Sequence, residues 1–544
     1  MLASTTGMVV SVNGIASDVG AAILKKGGNA VDAAVATAFA LAVVHPAAGN
    51  IGGGGFMIVR PAHGDPIAID YRETAPAAST KTMYLDANGN INIRLTSTGY
   101  LAPGVPGTVR GLALAHKRYG ALPWKDDVMP AVLLAERGFV LSPALSRSLN
   151  GELGRGMAPY PASVKAYGKA QGQWAAGDTI VLKDLGRTLR AIAEQGPDVF
   201  YTGWIADSVA ASMKAGGGIM TKQDLVGYRA KARTPIRTAY QGFEVIGMPP
   251  PSSGGVTVAE MLNILENFDL KSYGRSNIET SHLMIEAMRR AYLDRARFLG
   301  DPDFVAMPIE RLTSKSYAKT LAKGIDLKKA SSSAELGKDI LTVTQPREPD
   351  ETNHFSIVDK DGMAVSNTFT LEGGFGSHVV ASGTGFILNN EMGDFNKKPG
   401  TTDATGTIGT PANVIAPGKR MLSSMDPTIV TKNGQLFLVT GSPGSRTIIN
   451  TVLDVVVNAT TFGMNAREAV DYPRLDSEWM PDLATFERAA MADTTLIKGL
   501  EAMGHTIRGG STQGDAHTIM FDPATHTAYG AADARSPDSK ASKP

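Results

Sequence analysis

Residues 351–370 read Glu351-Thr352-Asn353-His354-Phe355-Ser356-Ile357-Val358-Asp359-Lys360-Asp361-Gly362-Met363-Ala364-Val365-Ser366-Asn367-Thr368-Phe369-Thr370. The run predicts a hairpin, with strands over 352–358 and 363–370 and a turn at Asp359-Lys360-Asp361-Gly362. If Lys360, Asp361 and Gly362 form a three-residue loop with Gly362 left-handed, Asp359 pairs with Met363. Thr370 then falls directly opposite Thr352. A two-residue loop would put Phe369 there, and the glycine in third place favours the first register. On pattern alone, such a Thr–Thr pair is an ordinary cross-strand neighbour on a sheet.

Working outward, residues 330–351 are polar and proline-containing and predict a linker. After it the texture changes to short strands with glycine turns. A second hairpin is expected over 427–431 and 436–440. It leads through Gly441-Ser442-Pro443-Gly444-Ser445 into an apolar helix over 446–459. A strand, a small-residue loop and a helix start present free backbone N–H groups, which suit an anion or an oxyanion. Before the linker, Ser17 or Asp18 is expected to cap a helix running to about Lys26. Gly27-Gly28 stops it, and Asn29 starts a second, Ala-rich helix. Strands are expected over 57–60 and 67–71. Helical patterning recurs near 109–120, 126–138, 187–195, 206–215, 255–268 and 278–298. The tail over 536–544 reads as disordered.

Composition bounds the function. The 544 residues are 43% hydrophobic and 19% charged, enough apolar material for a sizeable core. Lys plus Arg number 53 and Asp plus Glu 52, so no global field favours nucleic acid or an anionic membrane. Cysteine is absent, which excludes disulfides, thiolate metal sites and a thiol nucleophile. The most apolar stretch, over 33–44, is too short for a bilayer and reads as a buried helix. The first residues carry no basic region followed by an apolar one, so no signal peptide is read. No G-x-S-x-G elbow and no H-E-x-x-H occurs. Ser316-Tyr317-Ala318-Lys319 fits S-x-x-K without its companion motifs. The scattered histidines read as structural.

Several motifs in fixed order carry a resemblance. They are 27–35 (Gly27-Gly28-Asn29-Ala30-Val31-Asp32-Ala33-Ala34-Val35), the Gly52 to Gly55 run, and Asp70-Tyr71-Arg72-Glu73-Thr74-Ala75-Pro76. Then follow the Pro249 to Gly255 loop, Glu351-Thr352-Asn353-His354-Phe355-Ser356, Asn389-Asn390-Glu391-Met392-Gly393-Asp394-Phe395, and Leu422-Ser423-Ser424-Met425. From about Gly7 to Arg535 the chain resembles the bacterial γ-glutamyltranspeptidases (glutathione hydrolases).

The resemblance implies an α/β (α+β) N-terminal-nucleophile hydrolase, an αββα sandwich in one intertwined domain. It implies self-cleavage between Glu351 and Thr352, giving a large chain over 1–351 and a small chain over 352–544 that stay together. Thr352 would be the nucleophile, its new α-amine the base, and Thr370 its orienting partner. Gly444 and Ser445 would supply the oxyanion-hole N–H groups. Arg72, Ser423 and Ser424 would hold the substrate α-carboxylate. Glu391 and Asp394, with Glu372, would hold its ammonium. The γ-glutamyl group of glutathione or related compounds would pass to water or to an amino acid or peptide amine. No metal or organic cofactor, nucleic acid or membrane span is implied; a periplasmic or extracellular location is. A cephalosporin or glutaryl acylase, or a poly-γ-glutamate hydrolase, keeps the same fold and nucleophile; a non-catalytic binding protein is the third reading. Three positions depart from the family pattern. Ser445 stands where many members have glycine, and Glu372 where others have Asn. Thr405 stands where an aromatic residue often closes the pocket under a lid over 397–419, so a more open site is expected.

Overall fold

In the computed structural model, which describes residues 1–342 and 352–544, the strands Asn353–Asp359 and Ala364–Thr370 pair antiparallel. Asn353 faces Phe369 and Val358 faces Ala364, the register of the three-residue loop. The Asp359 N–H donates to the Met363 carbonyl at 3.0 Å, and Gly362 sits at φ 84°, where a Cβ would be strained. The Asp359 carboxylate fixes the turn by accepting from the N–H groups of Asp361 and Met363. Continued by one step beyond the paired residues, this register would set Thr352 opposite Thr370.

The hairpin is the centre of a seven-stranded antiparallel sheet. Its order is Lys540–Ser542, Gly7–Ser11, Asn353–Asp359, Ala364–Thr370, Gly54–Arg60, Ile67–Asp70, Lys231–Arg233. The second seven-stranded sheet runs Leu2–Ser4, Thr527–Ala531, Thr518–Asp522, Gln435–Thr440, Thr428–Lys432, Phe243–Gly247, Ile236–Tyr240. The layering follows from the two-residue period of strands. Met8, Val10, Phe56 and Ile58 pack with residues of the second sheet. Their neighbours Val9, Met57 and Val59 turn to the opposite face and pack under helices such as Gly14–Lys25 and Ala30–Val44. Helices Gly254–Leu265, Ile278–Phe298 and Thr447–Thr460 pack with the second sheet. The result is helix, sheet, sheet, helix, the α+β sandwich that was expected. Every residue of Ala30–Val44 is buried, and among the described residues no helix is long and apolar enough to cross a membrane.

Two local expectations are corrected. The first helix begins at Gly14, capped by Asn13, whose side-chain oxygen accepts from the Ile15 N–H at 3.0 Å. Ser17 is instead buried and bonded to Ser11 and to the Lys540 carbonyl, so it serves packing and not a cap. The tail is not a loose end, because Lys540–Ser542 adds a strand beside Gly7–Ser11 and Lys540 pairs with Asp18. A three-residue strand has too little pattern to be seen without its partner. Within the expected linker, residues 333–336 form a short helix. Glu351 lies outside the described residues.

Asn29 caps the second helix in a reciprocal box with Asp32. Asp127 is buried beside Asp32, and burial, then that neighbour's charge, pushes its carboxyl up to about 9. A folded-state value above the unfolded one makes stability fall as pH rises between about 4 and 9. Asp127→Asn should therefore be more stable than the native chain, by on the order of 1–3 kcal/mol at pH 8. The gain should shrink toward pH 4, and thermal melts across that range measure it.

Candidate active site

A cavity of about 810 Å³ opens at the end of the hairpin, and Thr352 and Thr370 both line it. Thr370 is held from behind. The Asn50 side-chain amide donates to its carbonyl at 2.8 Å. Gly53 comes so close that a Cβ there would lie 2.1 Å from the same oxygen. That contact explains one member of the Gly52–Gly55 run. The Thr370 hydroxyl accepts from the Glu372 N–H at 2.8 Å. Glu372 itself takes φ 77° and lines the cavity.

Arg72 is fully buried, yet its guanidinium reaches the cavity wall. It pairs with Glu391 at 2.5 Å and with Asp394, and it donates to the carbonyls of Met421 and Leu422. Asp70, two residues before Arg72, forms no ion pair with it. The Asp70 carboxylate is taken by Arg233 and Arg420, and accepts only the backbone N–H of Arg72. Burial pushes Glu391 well above the usual carboxyl range and Glu73 up to about 8, against the pull of Arg72. The acids are not equivalent in position. Asp394 and Glu372 face the cavity, whereas Glu391 has no exposed surface and does not line it. Glu391 therefore pairs with Arg72 from behind and does not itself line the cavity. Its place in one motif with Asp394 gave no hint of this, because the short helix Glu391–Asp394 turns the two apart.

Ser423 and Ser424 line the same cavity. The Pro249 to Gly255 loop props them. Ser253 donates to the Ser423 carbonyl through both N–H and hydroxyl at 2.7 Å, and the Ser423 N–H donates to the Pro251 carbonyl at 3.0 Å. Arg295, which sequence reasoning missed, donates to the hydroxyls of Ser253 and Ser424 at 2.8 and 3.0 Å. It lies in a helix with several other arginines, so no local signal singles it out.

Gly444 and Ser445 sit on the cavity just before helix Thr447–Thr460. Neither backbone N–H has a hydrogen-bond partner among the described residues. Two uncommitted donors on the cavity that Thr352 also lines are groups able to hold an oxyanion. Ser445 holds the left-handed φ of 52° that glycine would favour. His354 stabilises this turn from below. Its ring abuts Gly441, where a Cβ would lie 2.4 Å from the imidazole. It bonds Thr368 and Ser356 at 2.9 and 3.0 Å, and burial keeps it neutral. Thr405 lines the cavity with its hydroxyl on Asp403 at 2.7 Å. Nearby, burial brings the Lys397 ammonium down to about 7, with Arg446 contributing.

Two groups of described side chains lie close enough to share a cation, His282, Glu286 and His505, and Asp32, His116 and Asp127. Several of their atoms have other partners, while the Asp127 carboxylate oxygens and His505 Nδ1 are buried without a hydrogen bond among the described residues. His282 bonds His505 at 2.7 Å, Glu286 pairs with Arg289 and Arg290, and Asp32 caps its helix. None of the six lines the cavity.

Two helix-flanked antiparallel sheets packed face to face, with threonine leading a central strand into a cavity, define an N-terminal-nucleophile hydrolase. The sequence matches the Gamma-glutamyltranspeptidase family over residues 16–542, and the chain belongs to that family. It is 47% identical over 533 residues to the glutathione hydrolase proenzyme of Escherichia coli (strain K12), covering 98% of this chain and 91% of that one. The solved cephalosporin acylase from Bacillus halodurans superposes with TM-score 0.87 at 28% identity, covering 100% of this chain and 96% of that one. A chain of Helicobacter pylori gamma-glutamyltranspeptidase superposes with TM-score 0.57 at 44% identity, covering 58% of this chain and 91% of that one.

Proposed function

We propose that the protein is a self-cleaving γ-glutamyl hydrolase and transferase acting on glutathione and related γ-glutamyl compounds. The observation that carries the reading is one cavity lined by Thr352, Thr370, Arg72, Asp394, Ser423 and the Gly444-Ser445 turn. In maturation the Thr352 hydroxyl attacks the Glu351 carbonyl, and water hydrolyses the resulting ester. This frees a Thr352 α-amine with a pKa near 7.7–8.0, a base for its own hydroxyl near neutral pH. No histidine partner is needed, which agrees with the committed role of His354.

A γ-glutamyl group ends in a zwitterion. Its carboxylate suits the Arg72 fork and the Ser423 and Ser424 hydroxyls, and its ammonium suits Asp394 and Glu372. The Arg72–Asp394 pair thus opens to admit the two ends of one amino acid, each charge exchanging an internal partner for a substrate one. Thr352 then takes the γ-acyl group, the Gly444 and Ser445 N–H groups hold the oxyanion, and water or an amine releases the product. A glutaryl group lacks the ammonium and would leave Asp394 and Glu372 unanswered, so the acylase reading ranks second despite the close superposition on such an enzyme. The mature protein is read as a heterodimer of chains 1–351 and 352–544, placed outside the cytoplasm by family resemblance.

Intact mass with N-terminal sequencing, followed by assay of a γ-glutamyl anilide, tests this. A small chain beginning at Thr352 and release of the anilide are expected. A glutaryl anilide turned over in preference would establish the acylase. Uncut, inactive protein after long incubation at neutral pH would point to the binding protein.

A further inference from the structure

We propose that Arg508, with Ser511 and Thr512, forms a second carboxylate subsite in the cavity, for the free C-terminus of the peptide joined to the γ-glutamyl group. The inference rests on the functional reading above and concerns the other end of the substrate.

Most cationic groups on the cavity wall are already engaged. Arg72 pairs with Glu391 and Asp394, Arg446 with Glu478, and Arg535 with Glu487 and Asp533. Arg508 differs. It lies on the strand Ile507–Gly510, is exposed and lines the cavity, and its guanidinium makes no hydrogen bond or ion pair with any described residue. Ser511 and Thr512 follow on the same wall, exposed, with hydroxyls that are likewise uncommitted. An arginine with two hydroxyls is the donor set that Arg72, Ser423 and Ser424 provide for the first carboxylate. The planar fork and two O–H donors fit a second.

The wall is positioned rather than loose. Arg508 is paired across the strands with Thr485, which also lines the cavity. Just after Thr512, Gln513 is fastened through its N–H to Glu487 and through its side chain to the Thr485 carbonyl, both at 2.8 Å. The loop then touches the oxyanion turn. A Cβ on Gly444 would lie 3.3 Å from Gly514, and the Asp515 N–H donates to the Ser442 hydroxyl at 2.9 Å. The wall carrying Arg508 is therefore continuous with the point at which the scissile amide is held.

The chemistry uses it on departure and on return. In acylation the Thr352 Oγ–carbon bond forms and the amide carbon–nitrogen bond breaks. The hydroxyl proton passes through the α-amine to the leaving nitrogen, which departs as a peptide amine. In transfer, an incoming neutral peptide amine attacks the ester carbon, gives its proton through the same α-amine to Oγ, and regenerates Thr352. In both steps a dipeptide bearing a free carboxylate occupies the wall.

The test compares glutathione with its C-terminal glycinamide by kcat/KM, with a γ-glutamyl anilide reporting on the donor site. The native enzyme should prefer the acid by about tenfold. Arg508→Gln should bring the two within about twofold, and Arg508→Lys should fall between. Intact mass of each variant shows whether it has folded and matured. An equal preference in native and Arg508→Gln protein, or none in the native enzyme, overturns the subsite while leaving the functional reading in place. No turnover of the anilide by matured native protein overturns the functional reading and the subsite with it.

Discussion

Thr352→Ala is expected to remain a single chain of 57.1 kDa, with no fragment beginning at residue 352 and no turnover of a γ-glutamyl anilide. The physical reason is that in the proposed mechanism one hydroxyl serves twice. It attacks the preceding carbonyl during maturation and the γ-carbonyl in each catalytic cycle, and the α-amine that serves as base exists only after the first event. Loss of activity should be on the order of 10⁴-fold or more, because removing the nucleophile removes the covalent route itself. Thr352→Ser keeps a hydroxyl and should mature slowly and retain part of the activity. Gel electrophoresis and intact mass follow the first effect, and initial rates follow the second. A Thr352→Ala protein that still cleaves would place the nucleophile elsewhere.

Arg72→Gln should combine the second largest loss of activity with a loss of stability. The guanidinium is enclosed with Glu73, Glu391 and Asp394. Without it, the donor's carboxylate has no fork to meet, and kcat/KM should fall by about 10²–10³-fold, mostly through KM. The stranded acids cost about 3 kcal/mol, the order expected when one partner of a buried ion pair is removed. That cost depends on pH in a definite direction. Burial raises Glu73 to about 8 even with Arg72 present. A raised carboxyl stabilises the fold fully below its unfolded value near 4.5 and loses that contribution as pH rises through its folded value. Removing the cation raises the folded value further. The difference in melting temperature between native and variant should therefore widen from pH 5 to pH 9. Arg72→Lys restores the charge without the fork, and should recover stability more than it recovers kcat/KM.

Much of this was legible in the chain before any coordinates. The hairpin register followed from one glycine, because the left-handed Gly362 makes a three-residue loop and fixes which residues face each other. The second helix followed from Asn29 and Asp32, whose capping box is a contact across four residues. The candidate site residues followed from motif order, and the structure brings all but one of the described ones to a single cavity.

The sequence by itself determined what depends on neighbours along the chain, namely strand period, turn chemistry, helix capping and the presence of a hydroxyl, an arginine and acids in recognisable motifs. Only the tertiary structure decided what depends on which distant segments meet. It placed Glu391 behind Arg72, brought Arg295 to Ser424, paired the last residues with Gly7–Ser11, and left Arg508 facing the cavity without a partner among the described residues. Burial and charge pairing are properties of that assembled neighbourhood. An arginine reads the same in sequence whether it is enclosed by three acids or open to a ligand, and the fold alone distinguishes them.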